Sequence, residues 1–307
     1  MGPHGSCSAT CWATDRTVTP SFDPALLNGR RYLVTGGGMG LGRSMARRFL
    51  QLGASVAICG RRGAVLAATA DEFRAEFGDR VETETCDIRA PDAVEAMVER
   101  LFARAPLDGL VNNAAGNFLA QTHRLSHRAL DAVLGSTLHG AAYCTIACGR
   151  RWIEMKRPAV VLSILTLSAL HGAPFTMPSA MAKAGLDAMT KSLAVEWGPY
   201  GIRLVAIAPG PFPTPGADAR LTPLGGQTGP GAGVPLGRPG EHRELADLAA
   251  FLVSDLAGFI TGETVVIDGG KRWLSGARAG AADMLGWSDA DWERQRAASR
   301  LASDARR

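Results

Sequence analysis

A chain of 307 residues, 46% hydrophobic and 20% charged, has the composition of one large globular domain, or at most two, and not that of an intrinsically disordered protein. No apolar run approaches the roughly 20 residues of a membrane span, and the net charge of +4 comes from scattered arginines rather than a basic stripe, so neither nucleic acid nor membrane is expected as a partner. Six cysteines without a completing His or Cys pair suit neither a disulfide framework nor a metal centre and point to a reducing, cytoplasmic setting.

Taken in chain order, residues 1–28 read as a disordered leader. From Arg31 onward, short β-branched runs alternate with longer segments of helical period, the pattern of repeated βαβ units. Strands are predicted at Tyr32 to Thr35, Ser55 to Cys59, Val81 to Cys86, Gly109 to Asn112, Val160 to Ile164, Arg203 to Ile207 and Thr264 to Ile267. Helices are predicted at Leu41 to Leu52, Ala64 to Phe77, Pro91 to Ala105, Leu130 to Met155, Ser179 to Trp197 and Glu241 to Leu256. Several strands are apolar on both faces, as strands covered by helices on both sides should be. The expected fold is therefore α/β, a Rossmann-type doubly wound parallel sheet of about seven strands in a single domain over residues 29–270. Residues 211–240 are dense in Gly and Pro and too long for a plain connector, which marks a substrate loop. Residues 271–307 form a tail, partly helical, with a short amphipathic helix expected from Ser288 to Ala302 and Trp287 and Trp292 on its apolar side. The end of the chain, Asp304 to Arg307, lacks a Ser-Lys-Leu peroxisomal signal.

The first strand runs into Thr35-Gly36-Gly37-Gly38-Met39-Gly40-Leu41-Gly42 and then directly into a helix. Gly38, Gly40 and Gly42 can supply a tight turn, close backbone approach to a pyrophosphate and close helix packing, with the helix N-terminus facing the phosphates. The second strand ends in Gly60-Arg61-Arg62, where an NAD site would place a carboxylate against the ribose 2′-hydroxyl. Arg61 or Arg62, with Arg43, can instead pair with a 2′-phosphate, which favours NADP(H); the alternative is a pair of solvated arginines. Asp87 closes the third strand, either as acceptor from the adenine amino group or as cap of the next helix.

These segments, with Asn112-Asn113-Ala114-Ala115-Gly116 and Pro209-Gly210, resemble the short-chain dehydrogenase/reductase family over roughly residues 29–270. Asn112 to Phe118, Arg124 to Ser126, Pro178 to Gly185, Ala194 to Gly198 and Ala208 to Pro211 are similar to its 2,4-dienoyl-CoA reductase branch. The resemblance implies a cofactor pocket of Thr35, Gly36, Gly38, Gly40, Leu41, Gly42, Arg61, Arg62, Asp87, Asn113, Ala114, Gly116, Lys183, Pro209, Gly210, Phe212 and Thr214. It implies a homotetramer assembled through the two long helices.

Most members of the family place a Tyr four residues before a Lys on one helix. Here that position is Ser179, on the same helix face as Lys183. A serine hydroxyl is too weak an acid to replace a phenol as proton donor to a ketone. The dienoyl-CoA reductases resemble this arrangement, because hydride delivered to a conjugated thioester moves charge onto the thioester oxygen and requires an oxyanion partner instead. The Tyr and Asn that serve that oxygen in the branch correspond here to Ser168 and His139. His139 is the leading donor or acid, with a solvated or core histidine as the alternative; Tyr143 stands one turn on, and Ser163 and Ser168 are secondary donors. Phe118 and Leu119 would wall an acyl channel. Three functional readings follow: an NADPH-dependent reductase of conjugated enoyl or dienoyl-CoA thioesters in fatty-acid metabolism, an oxidoreductase of a specialised ketone or alcohol, and a non-catalytic NADP-binding scaffold.

Overall fold

The structure, a computed structural model, describes residues 22–216, 233–275 and 281–304 together with positions 221 and 231. Its seven strands are β1 (Arg31–Thr35), β2 (Ser55–Gly60), β3 (Val81–Thr85), β4 (Gly109–Asn112), β5 (Ala159–Ile164), β6 (Ile202–Pro209) and β7 (Thr264–Ile267). They form one sheet in the order β3-β2-β1-β4-β5-β6-β7, with every pair parallel. The helices are α1 (Gly40–Gln51), α2 (Gly63–Phe77), α3 (Pro91–Arg104), α4 (His127–Leu134), α5 (Gly140–Glu154), α6 (Ser168–His171), α7 (Met177–Trp197), α8 (His242–Val253), α9 (Lys271–Ser275), α10 (Ala281–Met284) and α11 (Asp289–Asp304).

Alternate residues of each strand feed two different cores, as the period of two requires. Val34, Ile58, Leu162 and Ile207 pack with α1, α2 and α8, whereas their neighbours Leu33, Ala57, Val161 and Leu204 pack with α3, α5 and α7. The order of strands reverses between β1 and β4, which opens a crevice above their carboxyl ends. All seven predicted strands are present with bounds shifted by a residue or two.

Two expectations change. The leader does not extend to residue 28: Leu27 is buried in the α1 core and its N–H donates to the Leu52 carbonyl (2.8 Å), because the end of α1 leaves an apolar notch that Leu27 fills. Residues 1–21 lie outside the described residues. The single helix predicted from Leu130 to Met155 is two helices, α4 and α5, joined by a π turn, Gly135–His139. The two ends of residues 211–240 meet, the Gly240 N–H donating to the Pro211 carbonyl (2.9 Å); most of the residues between lie outside the described residues. The tail carries α9, α10 and α11, with the Trp287 and Trp292 rings edge to face at 4.9 Å.

Candidate active site

The glycine turn is held by a hydrogen-bonded buckle between β1 and β4. Buried Thr35 donates its hydroxyl to the Val111 carbonyl (3.2 Å) and accepts from the N–H groups of Asn113 and Ala114 (3.0 Å each). The Asn113 amide in turn donates to the Thr35 carbonyl (2.9 Å). A Cβ at Gly42 would lie 2.4 Å from that amide and 2.5 Å from the Gly36 oxygen, so only glycine lets α1 approach this closely. Gly37, which the sequence reading passed over, is equally constrained: a Cβ there would meet Ile58 at 2.6 Å.

The N-terminus of α1 fits a diphosphate. Met39 occupies the cap position without a side-chain capping bond to the helix, and the first turn holds no acidic residue. Gly40 has φ +55°, a left-handed conformation suited to glycine, and among the described residues faces Thr214 of the segment after β6, 3.6 Å from where a Cβ would stand. Gly210 lies flat on Asp268, with its N–H bonded to the Ile267 carbonyl (2.8 Å), and Phe212 packs under Gly240. Pro209 ends β6, so Pro209 to Thr214 reach the mouth of the crevice together.

The structure separates the arginines. Arg43 is engaged by Glu72 and lies over the Phe73 ring at 5.9 Å, which withdraws it from the phosphate pair expected of it. Arg61 is exposed, and the Arg62 guanidinium lies against the Met39 sulfur beside the glycine turn. Among the described arginines around the glycine turn, Arg61 and Arg62 are in no ion pair, whereas Arg43 is in one. Arg61→Ala/Arg62→Ala is expected to weaken NADPH binding roughly 10- to 100-fold, the worth of charge-assisted hydrogen bonds, while leaving NADH affinity unchanged in titrations with each nucleotide. Asp87 does not cap α3, whose cap is Ala90. Its carboxylate is held by the Arg89 guanidinium and N–H, which keep it ionised below the usual carboxylate range.

On the other side of the crevice, Ser179 and Lys183 stand one turn apart on α7, each 3% exposed. The Lys183 ammonium donates to the Ile164 carbonyl at the end of β5, and burial lowers its pKa from 10.5 to about 8. Ser168, at the start of α6, shares a hydrogen bond with the Thr166 hydroxyl. Thr166 is a residue the sequence reading missed.

The two remaining predicted donors differ in their exposure. Ser163 is 1% exposed and in register with Asn112, and its buried hydroxyl has no hydrogen-bond partner. His139 is exposed and stands on the stripe of Gly135, which faces Arg89, and of Tyr143, whose ring centroid is 6.3 Å away. The residues that turn inward are Thr137, whose hydroxyl accepts from the Gly116 N–H (3.2 Å), and Leu138, which packs on Gly185 of α7. The π turn adds one residue and rotates the helix faces by about 100°. On this turn Thr137 holds the Asn113 to Phe118 loop through the Gly116 N–H, and the His139 side chain is exposed.

Phe118 is half-buried and Leu119 exposed, and two further apolar side chains not anticipated, Leu170 and Phe175, are exposed between α6 and the start of α7. Phe175 has φ +62° and is 59% exposed, and its carbonyl accepts from the Ala120 N–H (2.9 Å). A non-glycine residue held in the left-handed region costs about 1–3 kcal/mol and marks sites of function.

A parallel sheet with an open, anion-accepting glycine turn at its switch point and a buried lysine across the crevice defines a dinucleotide-dependent oxidoreductase of the Rossmann type. Residues 36–272 match the family model described as enoyl-(acyl carrier protein) reductase. The chain belongs to the short-chain dehydrogenase/reductase family, NADP(H)-dependent oxidoreductases, and is homologous to its 2,4-dienoyl-CoA reductase-like branch. It is 42% identical over 262 residues to the Caenorhabditis elegans protein named Probable 2,4-dienoyl-CoA reductase 3, (3E)-enoyl-CoA-producing, covering 83% of this chain and 84% of the other. Among solved structures, a short chain dehydrogenase from Bacillus anthracis aligns with TM-score 0.70 and 38% identity, over 79% of this chain and 96% of that one. A gluconate 5-dehydrogenase from Burkholderia cenocepacia, in complex with NADP and tartrate, aligns with TM-score 0.75 and 29% identity over 82% and 98%.

The cytoplasmic expectation is corrected by the same branch. Relatives from Danio rerio and Rattus norvegicus, 33% and 31% identical, are peroxisomal 2,4-dienoyl-CoA reductases. Cys59, Cys86, Cys144 and Cys148 are buried free thiols, and thiols enclosed in a core do not report which compartment surrounds them.

Proposed function

We propose that the protein is an NADPH-dependent reductase of a conjugated enoyl or 2,4-dienoyl thioester, a coenzyme A ester of fatty-acid metabolism. The observation that carries this reading is the pairing of buried Ser179, in place of a phenol, with buried Lys183 beside the Thr166 and Ser168 hydroxyls. Neither Tyr32, whose hydroxyl lies near the Val253 carbonyl, nor Tyr200, exposed beyond the end of α7, can serve as acid at this place. The homology to dienoyl-CoA reductases supports the same substrate class.

Bound NADPH would supply the hydride. Gly36 to Gly42 and Thr214 would hold the diphosphate, Arg61 and Arg62 the 2′-phosphate, and Asn113, Ala114 and Gly116 the wall between adenine and nicotinamide ends. Lys183 binds the nicotinamide ribose and sets a positive field at the end of β5. The Thr166 and Ser168 hydroxyls, with Ser179, donate hydrogen bonds to the thioester oxygen as negative charge gathers there; they need not surrender a proton to do so. The carbon is protonated from water. Phe118, Leu119, Leu170 and Phe175 cover the acyl chain.

The test is NADPH consumption with a medium-chain trans-2,trans-4-dienoyl-CoA, beside a trans-2-enoyl-CoA and a β-ketoacyl-CoA. Turnover on the conjugated thioesters alone is expected; turnover on the ketone alone would replace this reading with a carbonyl reductase.

Phe175→Gly is expected to raise KM for the medium-chain thioester about tenfold, the value of one aromatic contact. NADPH affinity should stay constant, and urea stability should be unchanged or higher by up to about 1 kcal/mol, because glycine relieves the left-handed strain.

We further propose a homotetramer built on the outer faces of α5 and α7, where Ile146, Met155, Met181 and Val195 are exposed apolar side chains. Light scattering should give a mass four times the 32.2 kDa chain, and a monomer would overturn the assembly.

A further inference from the structure

The imidazole of His242, the first residue of α8, touches two elements of the cofactor crevice and belongs to neither. Its Nε2 lies 2.8 Å from the Pro213 carbonyl and its Nδ1 lies 2.9 Å from the Ser44 hydroxyl on α1. Ser44 in turn reaches the Gly40 carbonyl at 3.1 Å. A polar chain thus runs from the segment carrying Thr214, through His242, to Ser44 of α1, whose one hydroxyl proton goes either to Nδ1 or to the carbonyl of Gly40, the glycine that Thr214 faces. We propose that His242 is a positioning residue for NADPH: it ties Pro211 to Thr214 onto the first turn of α1 and so holds Thr214 at the diphosphate position. The proposal rests on the cofactor pocket described above and adds to it a residue that sits outside the glycine turn.

The chemistry of the tie is constrained. A carbonyl only accepts, so Nε2 carries a hydrogen in either ring state and the Pro213 contact is always a donation. Only the Ser44 side is free to vary: the hydroxyl donates to a neutral Nδ1, or accepts from a protonated one and donates to Gly40. Docking of α8 does not depend on this residue. Leu245, Ala246, Ala249 and Ala250 are buried against the α1 core, and Arg48 of α1 pairs with Asp247 at 2.5 Å. Removing the imidazole should therefore loosen the segment without releasing the helix.

The experiment uses the full chain with His242→Ala, His242→Gln and His242→Asn. NADPH dissociation constants are measured by titration, urea midpoints without cofactor, and hydrogen exchange at the Phe212 and Thr214 amides without cofactor. His242→Ala should weaken NADPH about tenfold, with an unchanged urea midpoint and faster exchange at Thr214. Gln places an N–H where Nε2 stands and should restore binding to within about twofold, whereas Asn, which reaches only the Ser44 position, should not. Unchanged binding and exchange in His242→Ala would overturn the proposal, as would a fall in the urea midpoint that accounts for the whole loss. Failure of the wild-type chain to bind NADPH would strike at the cofactor pocket itself, and exchange at Thr214 would still decide whether the tie exists.

Discussion

Lys183→Met is expected to lower turnover by about 10²–10³-fold or more, the usual loss when one preorganised electrostatic donor is removed from a reacting centre, while making the fold without cofactor more resistant to urea at pH 7. The two effects run in opposite directions because the ammonium is buried with a backbone carbonyl as its partner. Its folded pKa of about 8 lies below the unfolded 10.5, so folding favours the neutral amine. The cost of keeping it charged, about 3 kcal/mol, is present in full below pH 8 and disappears as the pH rises from about 8 to 10.5. Met has similar length and no charge, so the stability gained over wild type should be greatest at pH 7 and small near pH 10. Urea melts at those two pH values, with turnover and NADPH affinity measured on the same variant, check both halves. In the wild type, kcat/KM for NADPH, which reports ionisation of the free enzyme, should fall as pH rises through about 8, because only the ammonium form supplies the positive field.

Gly42→Ala should be the most damaging single-methyl change in the chain. The added carbon would fall 2.5 Å from the Gly36 carbonyl oxygen and 2.4 Å from the Asn113 amide. The first is backbone and cannot swing away, and the second is the group that ties the β1 and β4 loops together. We expect a loss of about 3 kcal/mol in stability, the upper end for overpacking, and at least about a hundredfold weaker NADPH binding. Gly38→Ala is the control: its Cβ would meet the flexible Leu66 and Val65 side chains at 3.2 and 3.3 Å, and the cost should stay under about 1.5 kcal/mol. Thermal unfolding and NADPH titration of the pair separate a backbone clash from a side-chain adjustment.

The parts of the site that were legible in the sequence are those written in local patterns. The glycine turn stood between a strand and a helix, the Arg pair took the place of a carboxylate, and Ser179 and Lys183 sat one helical turn apart; each is a spacing of a few residues. The donors were harder to assign. Ser163 and His139 have chemistry suited to an oxyanion, but a side chain's chemistry carries no information about whether a substrate can reach it. Ser163 is enclosed within the sheet in register with Asn112, whereas His139 stands exposed on the π turn. Thr166, Leu170 and Phe175 were missed because a hydroxyl and two apolar residues in a loop have no periodicity to distinguish them.

By itself, the sequence determined the class of fold, the order of its strands and helices and the presence of a dinucleotide turn, because hydrophobic period and glycine placement are local and each strand apolar on both faces must lie inside a covered sheet. Only the tertiary structure decided which arginine was already engaged by a carboxylate, which hydroxyls faced the crevice, that Leu27 belonged to the core, and that His242 bridges α1 and the Pro211 to Thr214 segment. Those outcomes depend on groups as much as 198 positions apart in the chain, as Ser44 and His242 are, and on helix rotation. Both are set by packing across the sheet rather than by any neighbouring residue.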